Sequence, residues 1–153
     1  GRGRIALLVP AASRVALDPE LKGLAAVWAG IDKFAIAHPQ HAPYGRAARE
    51  ALQSLGLWEQ AQPKLVLGEN IMQATQFVTS GAAQAGITAL SLALAGQIAQ
   101  QTRYLLLPQR LHTPLRQRMV LIRSASPEAQ VLYEYLQGDK ARHTLARFGF
   151  EAD

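Results

Sequence analysis

The chain has 153 residues, close to the commonest size of a single domain, and 49% of them are apolar against 18% charged. That balance excludes a disordered chain and supplies enough material for a core. There is no cysteine, so disulfides, thiolate metal sites and cysteine nucleophiles are excluded. The net charge of +5 comes from scattered Lys and Arg, which predicts a solvated basic face rather than a nucleic-acid groove.

The apolar runs stop short of a membrane span, which predicts a soluble chain. The first segment, Arg4–Val9, reads as a buried strand and not as a signal peptide. Asp18, Pro19 and Gly30 supply an N-cap, a first-turn proline and a stop for a helical segment between them. Lys33–Ala37 is a second strand. It runs into His38-Pro-Gln-His-Ala-Pro-Tyr-Gly45, where a helix starts near Tyr44. Ala48, Ala51, Leu52 and Leu55 then fall at i, i+3, i+4 and i+7, and Gly56 ends that helix. Leu65–Leu67 is a third strand, followed through Gly68-Glu69-Asn70 by a helix over Ile71–Thr79 that Gly81 stops. Gly86–Ala89 is a fourth strand. Ser91 is placed to cap a helix over Leu92–Gln100, and Tyr104–Leu107 and Gln117–Ile122 read as the fifth and sixth strands. Two helices close the chain. Ser126-Pro127 opens one and Asp139 caps the other, with Leu132, Tyr135, Leu136, Leu145 and Phe148 as their apolar positions. Strands alternating with helices predict an α/β fold, a mixed and mostly parallel sheet flanked by helices.

No catalytic set is assembled by these residues. Gly-x-Ser-x-Gly, Walker, Gly-x-Gly-x-x-Gly and His-Glu-x-x-His patterns are all absent, and no enzyme is expected. His38 and His41 lie three apart in a proline-bounded loop with no acid close in sequence, so they read as loop polar residues and not as metal ligands. What remains is the layout of two strand-to-helix junctions, at Ala37–Tyr44 and Leu67–Ile71. The first amides of a helix have no intrahelical acceptor and carry partial positive charge. Two such N-termini at one edge of a parallel sheet can hold an anion without a charged side chain. Taken alone, this layout favours two ordinary capped helices, since most helix N-termini bind only water.

The motifs add to the layout. His41-Ala-Pro-Tyr-Gly45, Gly68-Glu-Asn-Ile71, Ala85-Gly-Ile-Thr-Ala-Leu-Ser91 and Arg147-Phe-Gly-Phe150 occur in an order that resembles the periplasmic molybdate-binding proteins of ABC transporters, from about Arg4 to Phe150. The resemblance implies one lobe of a type II periplasmic-binding-protein fold and a solute-binding component of a molybdate or tungstate importer. It implies the backbone N–H groups of Tyr44 and Ile71 as donors to the oxyanion, with Pro43, Gly45 and Asn70 in support. Pro43 would fix the turn and Gly45 would let the anion approach the backbone. Some relatives place a tyrosine hydroxyl where this chain has Ala89, so that donor is absent. No cofactor and no direct metal ligand is implied. The expected partners are the oxyanion and a membrane permease, not nucleic acid, and the expected location is the periplasm.

The family's first lobe precedes the strand that matches "RIALLVP", and its two hydroxyl-bearing segments have no counterpart here. Residues 4–122 are therefore expected to form the second lobe with its crossover strands. Residues 123–153 are expected to be the C-terminal helices that return to the first lobe. Without that lobe their apolar positions would be exposed, or covered in a homodimer or domain swap. The alternative function is an oxyanion-sensing domain of the same fold within a regulator or fusion protein.

Overall fold

A computed structural model describes residues 1–18 and 28–151. Its main sheet contains Ile5–Pro10 (β2), Phe34–Ala37 (β3), Leu65–Gly68 (β4), Ala85–Ala89 (β5) and Thr102–Leu106 (β6), in the order β4-β3-β5-β2-β6. The sheet is mixed, as expected, although only its β4-β3-β5 half is parallel; β2 runs antiparallel to both β5 and β6. A separate two-stranded ribbon pairs Arg2–Gly3 (β1) with Leu115–Arg116 (β7).

Strands β2, β3 and β5 are buried along nearly their whole length, which is why they read as continuous apolar runs and not as alternating ones. Their alternate residues feed two cores. On one face Ile5, Leu7, Phe34 and Ile36 pack against Ala47, Ala48, Ala51 and Leu52 of the helix Pro43–Ser54 (α1). On the other face Leu8 and Ala35 pack with Val78 of the helix Ile71–Thr79 (α3), Ala83 and Ala93. A one-turn helix, Trp58–Ala61 (α2), sits between α1 and β4. Gly56 and Gly81, read as stops, adopt positive φ after their helices, and Gly149 does the same at the end of the last helix.

Three expectations change. Ser91 does not cap a long helix. The segment forms two short ones, Leu90–Ala93 (α4) and Gly96–Gln101 (α5), capped by Ala89 and Ala95. Leu90 N–H bonds the Arg4 carbonyl, which starts the first of them a residue ahead of Ser91. Gln117–Ile122 is not a strand. Its apolar residues Met119, Val120 and Ile122 are exposed and find no ladder partner among the described residues, and a strand exists only where it pairs. In the C-terminal helices, Pro127–Gln137 (α6) is capped by Ser126 as read, but Asp139–Arg147 (α7) is capped by Gly138, one residue before Asp139. The expected helix after Asp18 falls on residues 19–27, outside the described residues; Trp28–Gly30 is a 3-10 turn.

α6 buries no residue and α7 buries only Ala141. Val131, Leu132, Tyr135, Leu136, Leu145 and Phe148 are all exposed. With Met119 and Phe150 the helices border a concavity of about 660 Å³.

Candidate functional site

The chain reverses direction across the sheet at the edge strand β4, and β3 lies between β4 and β5. From β3 it passes through α1 to β4 on one side, and from β4 through α3 to β5 on the other. The two crossover helices cover opposite faces, the arrangement in which open α/β sheets place a ligand crevice beyond the carboxyl ends of the strands, here β3 and β4. Both helices begin there. Ala37 is in register with Gly68, and the ladder is extended by His38 N–H to the Gly68 carbonyl at 2.8 Å.

The amides at the two N-termini can be assigned one by one. In the first junction Ala42 N–H bonds the His38 carbonyl at 3.0 Å and Arg46 N–H bonds the Ala42 carbonyl at 3.0 Å. Pro43 has no N–H. That leaves Tyr44 and Gly45 without an acceptor among the described residues. In the second junction the Asn70 side chain accepts from Gln73 N–H at 3.0 Å, and the Asn70 carbonyl accepts from Ala74 N–H at 3.2 Å. Ile71 and Met72 are left free in the same way. The structure thus brings Tyr44 and Ile71 to one sheet edge, with Pro43 in the first helical turn and Asn70 as the cap of α3.

Gly45 has a different reason from the one read in the sequence. A Cβ there would lie 2.7 Å from the Ala37 carbonyl carbon and 2.7 Å from the His38 oxygen, with the Ala37 oxygen closer still. Its smallness lets α1 sit on the end of β3. Gly68 does the same for α3, since its Cβ would stand 2.6 Å from Ala74 N.

Sequence reasoning also missed side-chain links that only the fold creates. The buried hydroxyls of Thr75 on α3 and Thr88 on β5 hydrogen-bond each other, and Thr75 also donates to the Ile71 carbonyl at 2.7 Å. This pins the first turn of α3 to the sheet. The available signal was a threonine at i+4 from Ile71 on a helix face that is otherwise apolar. Thr75→Val strands the buried Thr88 hydroxyl and is expected to cost about 2 kcal/mol. Thr88→Val leaves Thr75 its carbonyl partner and should cost about 1 kcal/mol, with the double variant below the sum. Urea midpoints at constant m-value check this.

The fold brings an acid to His41 that is not close to it in sequence. Glu69, from the second junction, lies 3.5 Å from its Nε2, and the imidazole stacks on that of His38 with centroids 4.2 Å apart. The pair is exposed and contributes little energy, but it joins the loops of the two strand-to-helix junctions. Among the described residues no group of three or more His, Cys, Asp or Glu is arranged to hold a metal ion. Tyr44 is half-buried, and desolvation raises its phenol above the ordinary value, while the Gln117 side chain beside it pulls it part of the way back.

A model of the family described as bacterial extracellular solute-binding protein matches residues 1–151. A molybdate-binding protein ModA from Azotobacter vinelandii is 40% identical over 120 residues, covering 76% of this chain and 47% of that protein. One from Rhodobacter capsulatus is 33% identical over 122 residues, covering 78% and 47%. The chain spans about half the length of the curated relatives it matches. Among solved structures, the periplasmic molybdate-binding protein of Azotobacter vinelandii superposes with a TM-score of 0.82 at 27% identity, over 99% of this chain and 66% of that one. L-phospholactate-bound PEB3, at 14% identity and a TM-score of 0.72 over 100% of this chain and 67% of that one, shares the fold alone.

Proposed function

The chain belongs to the bacterial extracellular solute-binding proteins, and from that premise we propose that it forms one wall of a cleft for molybdate or tungstate in an ABC importer. The observation that carries this is the pair of free helix N-termini at the carboxyl ends of the adjacent parallel strands β3 and β4. Tyr44 and Ile71 donate their backbone N–H groups to the oxyanion. The acceptor-free amides of Gly45 and Met72 lie beside them. Backbone donors suit a fully ionised dianion, because they supply positive potential and carry no proton to exchange. The ModA relatives support the choice of solute.

In this reading residues 4–122 are the second lobe. A first lobe, of the kind that makes up the rest of the relatives, closes over the anion and covers the exposed faces of α6 and α7. The apolar residues on those faces support that arrangement. The loaded protein delivers its solute to a membrane permease from the periplasm.

Calorimetric titration of the full-length protein with molybdate, tungstate and sulfate tests the reading. Molybdate and tungstate are expected to bind within about tenfold of each other, since amide donors distinguish two dianions of similar size by less than about 1.4 kcal/mol. Absence of binding to both refutes the proposal.

A further inference from the structure

The Tyr44 side chain does not stay in the crevice that its backbone faces. The ring runs to the separate ribbon. A Cβ on Gly3 of β1 would meet Tyr44 Cζ at 3.2 Å and the hydroxyl closer still, so the phenol lies directly over Gly3. The side chain of Gln117, next in the chain after β7, lies beside the phenol and draws its pKa back toward the ordinary value. The two strands are themselves tied at that point, by Gln117 N–H to the Gly1 carbonyl at 2.7 Å and the Gly1 amine to the Gln117 carbonyl at 3.3 Å. The phenol is therefore seated on both strands at once.

The ribbon is also where the sheet is joined to the C-terminal helices. β1 is one residue from β2, β7 leads on toward α6, and after α7 the chain returns to pair Glu151 with Arg2. Arg4, between β1 and β2, forms an ion pair with the Glu151 carboxylate. Any rotation of α6 and α7, and of whatever they pack on, relative to the sheet bends at or near this ribbon.

We propose that Tyr44 is a positioning residue that couples anion capture to the ribbon. Its N–H faces the oxyanion and its phenol holds the strands about which the lobes turn. The inference rests on the reading of the Tyr44 amide as an oxyanion donor. Seating the anion fixes the first turn of α1. That turn fixes the ring, and the ring selects one ribbon geometry out of those the hinge allows. The phenol then adjusts affinity without touching the ligand.

The test uses the full-length protein with molybdate as the probe, in wild type, Tyr44→Phe, Gln117→Leu, the double variant and Gly3→Ala. Tyr44→Phe keeps the amide and the ring. It is expected to weaken molybdate binding about three- to tenfold, the range of one net hydrogen bond. The ligand-induced fall in radius of gyration should shrink, while the Tm of the empty protein stays near wild type. Gln117 is exposed, so Gln117→Leu folds; it should reproduce the loss, and the double variant should add nothing further. Gly3→Ala displaces the phenol from the ribbon side and should weaken binding at least as much. Wild-type affinity and compaction in both Tyr44→Phe and Gln117→Leu overturn the coupling alone. So does a double variant whose losses simply add. Failure of the wild type to bind molybdate or tungstate removes the oxyanion reading and the coupling with it.

Discussion

Gly45→Ala is expected to destabilise the lobe by about 3 kcal/mol or more, the upper range for overpacking against atoms that cannot move aside. The obstacle is backbone, not a flexible side chain: the carbonyls of Ala37 and His38 stand where the new methyl must go. Relief requires α1 to lift from the end of β3, which strips Ala47, Ala48, Ala51 and Leu52 from the strand side chains they cover. For a chain of this size each kcal/mol lowers Tm by about 2–4 °C, so the loss should approach 10 °C. The same lift carries the Tyr44 amide away from the crevice, so residual folded protein should also lose oxyanion affinity. Gly96→Ala is the matched control. A Cβ there meets nothing within 4 Å, and the position lies at the start of α5 with no positive φ. It should be neutral or stabilise by up to about 1 kcal/mol. Urea denaturation and thermal scans of both variants decide the matter, and a Gly45→Ala protein as stable as Gly96→Ala would show that α1 does not need its close seat.

Gly45 also shows how far the sequence reaches. Its junction is visible in the sequence, because Ala48, Ala51 and Leu52 recur at helical spacing and are all buried as that spacing requires. Asn70 is read in the sequence only as a support for the anion; its cap to Gln73 N–H, an amide three residues away, is local chemistry that the structure adds. The purpose of Gly45 is not visible, because the carbonyls it must clear become its neighbours only when α1 folds back along β3. The same holds for the Thr75–Thr88 hydroxyl pair, for Glu69 beside His41, and for the Tyr44 ring over Gly3. Each joins segments whose meeting depends on sheet order. Gln117–Ile122 fails for a related reason. Its apolar pattern is that of a strand, but pairing is decided by a neighbour, and none is present among the described residues.

In the proposed reading, the 153-residue chain by itself, as a monomer, is expected to bind molybdate far more weakly than a two-lobed protein that carries it. Two amide bonds to a charged acceptor contribute about 1.5–3 kcal/mol each, and two helix termini add about 0.3–1 kcal/mol each. The gross gain is on the order of 4–8 kcal/mol, against an association cost of about 4 kcal/mol or more. The remainder corresponds to millimolar affinity or weaker. Water stays on the open side of the anion, and its competition keeps each amide bond near the low end of its range. A closing lobe changes both terms at once. It supplies further donors, and it lowers the local dielectric, so the amides of Tyr44 and Ile71 act on an anion they no longer share with solvent. Titration of the chain and of the full-length protein under one buffer gives the ratio. Light scattering on the same samples reports self-association through the exposed faces of α6 and α7, where Leu132, Tyr135 and Phe148 stand open. Submicromolar molybdate binding by the monomeric chain would mean that the four free amides form a complete site, and that the second wall of the cleft is dispensable.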